Sequence, residues 1–175
     1  HAVIFAQLTK CDGSFLVARE PDPNFDWKNT VGKTIIGGRP GGVPQMTLEY
    51  VLKKNGLTPG KDVEMITNLQ FTATAGAFKG GMGDYVALFE PTASMLEKEN
   101  AGSIVASIGE DSGLIAYTAY FAKKSYIEKN SDIIQRFTNA LYKGQLWVQN
   151  NKAEDIAREI KSFFPDADGD ILVTV

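Results

Sequence analysis

Residues 34–55, TIIGGRPGGVPQMTLEYVLKKN, carry three signals in a fixed order: a β-branched run, four glycines within six positions, and a helical pattern. Thr34, Ile35 and Ile36 suit a buried parallel strand, and residues 37–42 turn the backbone. Pro44 fits the first helical position, where its missing N–H costs nothing. Leu48, Val51, Leu52 and Asn55 then fall on one face, and Gly56 followed by Leu57 predicts the stop, with glycine left-handed and leucine folding back.

The junction matters for function. Amides at a helix start have no intrahelical acceptor, and Gly41 and Gly42 carry no side chain to block approach, which suits a small anion. A flexible surface connection is the alternative reading of residues 37–42. Two other phosphate motifs are excluded. Walker A needs glycine five positions before Gly32-Lys33-Thr34, where Trp27 stands, and G-x-G-x-x-G fails because Arg39 or Pro40 occupies its second glycine.

A chain of 175 residues suffices for one core or two small lobes, and 43% hydrophobic with 22% charged residues is ordinary for a folded domain. The formal charge of −3 leaves no footprint for nucleic acid. No apolar run reaches the ~18 residues of a membrane span, so no direct membrane insertion is expected. Cys11 is the single cysteine and reads as a small buried apolar residue; Met46 and Met82 read as packing. The one histidine is the terminal His1, so Ser-His-Asp, Cys-His and His-bearing zinc sites have no internal candidates. That argues against an enzyme, and no cofactor is implied.

Along the chain, residues 2–9 and 15–18 read as strands, and 20–29 as a loop ordered by Phe25 and Trp27. Strands follow at 63–67, 84–89 and 103–108, with helices near 73–79 and from 91 to about 98. Pro91 repeats the proline-first helical start of Pro44. This β-loop-α succession predicts an α/β fold with a mostly parallel sheet, whose ligand edge lies at the strands' carboxyl ends. The junctions at 39–45, 68–72 and 89–92 should share that edge. Residues 109–113 read as a loop and 115–122 as a long strand.

The texture then turns helical. Ser125 with Glu128, and Asn151 with Glu154, have capping-box spacing. A helix over about 132–149 presents Ile133, Ile134, Phe137, Leu141 and Val148, and the next presents Ile156, Ile160 and Phe163. Such faces need a partner, expected in a second lobe. Asp166, Asp168 and Asp170 lack the EF-hand register and read as caps, and 171–175 looks β-prone, with the start of a helix as the alternative.

Three runs, GKTIIGGRPGGVPQMTLEYVLKKNGL, FKGGMGDYVALFEPTASMLEKE and YTAYFAKKSYIEKNSDIIQRFTNALYKGQLWV, resemble the nitrate/sulfonate/taurine and thiamine-precursor group of ABC-importer solute-binding proteins. The resemblance covers nearly the whole chain. It implies a type II periplasmic-binding-protein-like lobe at 13–113, with 1–12 and 114–175 as crossing segments and the helical part of an incomplete other lobe. It further implies a small-molecule solute held between lobes, an ABC permease as membrane partner, and an extracytoplasmic location, in the periplasm or lipid-anchored at the cell surface.

Carried over by position, Gly41, Gly42, Val43 and Gln45 match the family's anion-facing helix start, and Glu90 matches the acid of its strand-end Glu-Pro motif. A sulfonate or carboxylate would lie on the first group while Glu90 takes an amine or ring N–H, suiting a zwitterionic or heteroaromatic solute. Each candidate keeps a plainer alternative: Glu90 as a cap, Arg39 as a solvated loop residue instead of an anion contact, Phe71 with Thr72 as core instead of a stacking surface. Thr118 and Tyr120, on one face of the crossing strand, are candidates with the same alternative. Two other functions share this architecture: the effector-sensing domain of a transcription regulator, and an enzyme related to thiamine-pyrimidine synthesis.

Overall fold

The computed structural model describes residues 1–175. They form two compact units, Cys11–Leu114 and a discontinuous one of His1–Lys10 with Ile115–Thr174.

In the first unit, five strands make one sheet: β2 (Ser14–Ala18), β3 (Thr34–Ile36), β4 (Glu64–Ile66), β5 (Tyr85–Phe89) and β6 (Ser103–Ser107), in the order β4-β3-β5-β2-β6. β3 pairs in parallel with β4 and β5, whereas β2 runs antiparallel to both β5 and β6. The α/β sheet is therefore parallel but for one inserted strand. Strand periodicity explains its two-sided core, since neighbours along a strand point to opposite faces. Leu16, Ile35, Tyr85 and Ala87 face α1 (Val43–Lys54) with its buried Leu48, Val51 and Leu52. Val17, Ile36, Val86 and Leu88 face the other way, onto Phe78 of α2 (Thr74–Lys79) and Ala93 and Leu96 of α3 (Thr92–Lys98). Ile35 and Ile36 are both wholly buried, each contributing about 1.5–3 kcal/mol of apolar burial.

α1 ends as its sequence requires. Gly56 has φ 80°, and the Leu57 N–H returns to the Leu52 carbonyl at 3.0 Å. Trp27 is buried with its Nε1–H donating to Asp111 Oδ2 at 2.8 Å, and its ring meets Phe25 edge-on. Arg19, which no sequence pattern marked, donates to the carbonyls of Phe78, Met82 and Gly83 and lies over the Phe78 ring, tying down the turn that precedes β5.

Residues 109–113 are not a loop. Ile108–Ser112 form α4, because the Ser107 hydroxyl accepts the Glu110 N–H and Glu110 and Asp111 place negative charge in the first turn. A Cβ at Gly109 would stand 2.0 Å from the Asp12 carbonyl oxygen, so glycine alone permits this approach. Pro44 and Pro91 fall one place off expectation: α1 begins at Val43, and Pro91 is the N-cap of α3. Cys11, Met46 and Met82 are exposed rather than buried, since each sits outside the sheet's two packed faces.

In the second unit, β1 (Ala2–Gln7) pairs antiparallel with β7 (Ala119–Lys123), with a register shift between Ile4 and Ala6. β7 is shorter than its apolar run. Residues 115–118 instead make scattered bonds, such as Ile115 N–H to Lys10 O and Thr118 N–H to Thr9 Oγ1, that do not extend the ladder. The helices are α5 (Lys124–Lys129), α6 (Ser131–Asn150), α7 (Ala153–Ile160) and α8 (Gly169–Thr174). Neither predicted capping box forms. Ser125 lies inside α5, whose N-cap is Lys123, and Asn151 turns back to donate to the Trp147 carbonyl. The β-prone 171–175 run is largely helical because Ile171 and Leu172 bury themselves in α8 beside α7. On α6 no residue is fully buried; Ile133, Phe137 and Val148 stay exposed, as does Phe163. No helix is long and apolar enough to cross a membrane.

Candidate functional site

β4, β3 and β5 are consecutive in the sheet and point the same way, so the segments that follow them leave one edge. Those segments are 37–42 with the start of α1, 67–73, and 90–91 with the start of α3. β2 begins at this edge as well, since Ser14 pairs with Phe89.

The start of α1 presents backbone donors. Gly42 is the N-cap, in extended conformation and with no side chain to close the helix. Among the first N–H groups, that of Gly42 goes to the Arg39 carbonyl and that of Met46 to the Gly42 carbonyl. Pro44 has none, which leaves Val43 and Gln45 as the open donors of the first turn. Gly41, at φ 72°, gives its N–H to Gln45 Oε1 at 3.1 Å, while Gln45 Nε2 donates to Glu49 Oε1. The buried Gln45 side chain therefore braces the loop. Arg39 is exposed and makes no ion pair; its side chain crosses Gly42 closely enough that a Cβ there would meet its Cγ at 3.4 Å. One cation and two amides thus stand together where the helix dipole is positive.

Phe71 opens a short 3-10 turn, Phe71–Ala73, and is 55% exposed. The expectation of a core ring is not met there, because no helix covers the turn; Thr72 is exposed beside it. The Phe71 ring lies 5.6 Å from that of Phe89. Glu90 is half-buried, and its two carboxylate oxygens accept from the Ser94 N–H at 3.1 Å and the Ser94 hydroxyl at 2.9 Å. It caps α3. Asp12, buried at the head of β2, holds Ser14 through Oδ1; its Oδ2 is fully enclosed without a partner and out of a solute's reach.

Thr118 and Tyr120 belong to the second unit. The Thr118 carbonyl accepts the Leu8 N–H at 2.8 Å. Tyr120 packs edge-on against Phe137 at 5.1 Å and, with Leu8, Leu141, Gly144 and Val148, lines a hollow of about 540 Å³. Phe89 had no marker in the sequence beyond its place as the last residue of an apolar strand. No group of three His, Cys, Asp or Glu side chains could hold a metal. Burial, then the negative charges of Asp22 and Asp84, push the Tyr85 phenol up. It lies at the amino end of β5, away from the glycine loop.

A mostly parallel sheet with helices on both faces is the lobe architecture of type II periplasmic-binding proteins. Residues 16–162 match the NMT1-like family model, and the chain belongs to that family. Over 170 residues it is 52% identical to the Bacillus subtilis (strain 168) protein YtlA, provisionally named a binding protein, covering 97% of this chain and 51% of YtlA. The chain thus spans about half the length of that relative. Two solved structures share the fold. The alkanesulfonate-binding protein SsuA from Xanthomonas axonopodis pv. citri, bound to MOPS, superposes with TM-score 0.77 at 18% identity, over 98% of this chain and 57% of that one. The periplasmic aliphatic sulphonate-binding protein SsuA from Escherichia coli gives 0.70 at 19%, over 95% and 55%.

Proposed function

We propose that this chain is the ligand-holding part of an extracytoplasmic solute-binding protein, which takes up a small organic anion and delivers it to an ABC permease. Residues 13–113 supply the ligand-binding lobe, and 1–12 with 114–175 supply crossing segments and helices of a second lobe that a longer parent chain completes. The solute is bound and released unchanged. One observation carries the reading: the open Val43 and Gln45 N–H groups at the start of α1, with the unpaired Arg39 guanidinium laid across Gly42. An anionic head would accept from both amides and from Arg39, three charge-assisted bonds in one place. Thr72, exposed on the neighbouring loop, offers a hydroxyl to the same edge. Because Glu90 already holds Ser94, an anion fits better than a zwitterion whose amine would need that acid. The names of the SsuA neighbours, which are sulfonate-binding proteins, support the same class of head group.

Amide NMR during titration with ethanesulfonate tests the proposal. The Gly41, Gly42, Val43 and Gln45 signals should move together, and Arg39→Ala should weaken binding about tenfold, the worth of one charged hydrogen bond. Shifts confined to other regions, or binding indifferent to Arg39, would overturn it. Recovery of the probe chemically unchanged separates binding from turnover.

A further inference from the structure

We propose that the Phe71 and Phe89 rings form a stacking subsite that makes an aryl anion, in preference to an alkyl one, the ligand of this edge; the inference rests on the anion reading of the α1 start. Phe71 is 55% exposed although its ring contacts Phe89. Phe71 arrives from the segment after β4 and Phe89 is the last residue of β5, the strands that flank β3, and so the rings meet across the end of β3. The segment leaving β3 is Gly37-Gly38, which places no side chain beneath them. Around Gly38, at φ 83°, a Cβ would find nothing within 4 Å.

Phe89 is the fixed member of the pair. A Cβ at Gly13 would lie 3.6 Å from its Cδ1 and Cε1, so the β2 start backs that ring. Phe71 is the free member, with much of its surface open to a third ring. With strands about 4.8 Å apart, the ends of β4, β3 and β5 lie within ~10 Å of one another. A benzene ring bearing an anionic substituent matches that arrangement, with its charge at Val43 and Arg39 and its face toward Phe71. A short alkyl chain would reach the amides and leave Phe71 wet.

Titrating the chain with benzenesulfonate and with ethanesulfonate, followed by amide and aromatic NMR signals, tests this. Both probes should move Val43 and Gln45; benzenesulfonate alone should move the Phe71 and Phe89 ring protons and bind about tenfold tighter. Phe71→Leu, which keeps apolar bulk without a ring, should erase that preference while leaving ethanesulfonate binding within about twofold. Because Phe71 is largely exposed, this substitution spares the core, and an unchanged spectrum elsewhere verifies the fold. Equal affinity for the two probes, or a preference that survives Phe71→Leu, would overturn the subsite. Failure of the anion reading looks different: neither probe would then move Val43 or Gln45.

Discussion

Gly42→Asp should make the protein more stable and the site weaker at the same time. Gly42 is the N-cap of α1 in extended backbone with no side-chain cap, the conformation in which aspartate reaches the third helical N–H, here Gln45. The new cap adds a few tenths of a kcal/mol over glycine, and negative charge at the dipole's positive end adds about 0.3–1 kcal/mol. Losing glycine's unfolded-state freedom adds about 0.4–1 kcal/mol. Against this stands a Cβ 3.3 Å from the Arg39 carbonyl oxygen, a tight contact that the loop must relieve. The net gain is about 0.5–1 kcal/mol, or roughly 2–3 °C in a chain of this size.

The same carboxylate occupies an amide assigned to the solute's head. At about 5 Å, with an effective dielectric between about 20 and 80, it repels an anion by about 1–3 kcal/mol, a loss of about five- to 150-fold in affinity. Thermal melting followed by Trp27 fluorescence, in a Trp147→Phe background, reads the first effect within the unit that contains Trp27. Ethanesulfonate titration reads the second. A variant that melts lower would refute the capping argument, and one that binds the probe as well as the parent does would refute the placement of the anion on these amides.

Glu90→Ala should lower stability by about 1–2 kcal/mol through loss of the Ser94 cap while leaving ethanesulfonate affinity within about twofold; urea unfolding and the same titration check both halves. Tyr85 ionises less readily in the folded chain than in the unfolded one, so the stability it confers is intact below about pH 10 and is lost as pH rises through its raised folded value. Tyr85→Phe should therefore flatten the fall in urea midpoint above about pH 10.

Much of the first unit was legible locally. Ile35-Ile36, the glycines and Gly56-Leu57 each satisfy a nearest-neighbour rule, and strand, turn, helix and stop fall close to where those rules place them. Errors gathered where a residue had two local options. Ser125 and Asn151 have the spacing of capping boxes, yet one sits a residue inside its helix and the other serves the helix before it. The β-prone Ile171 and Leu172 took a helix because burial beside α7 outweighed propensity. Arg19 and Phe89 were invisible because their partners lie far off in sequence.

By itself, then, the sequence determined the order of elements, the donor-bearing start of α1 and the absence of an internal histidine, all consequences of backbone sterics and residue chemistry within a few positions. Only the tertiary structure decided that β2 enters the sheet against its neighbours, that Glu90 spends its charge on Ser94, and that Phe71 stays open beside Phe89. Those outcomes depend on which distant segments share an edge or a face, and that is a property of the packed sheet that no local window of residues contains.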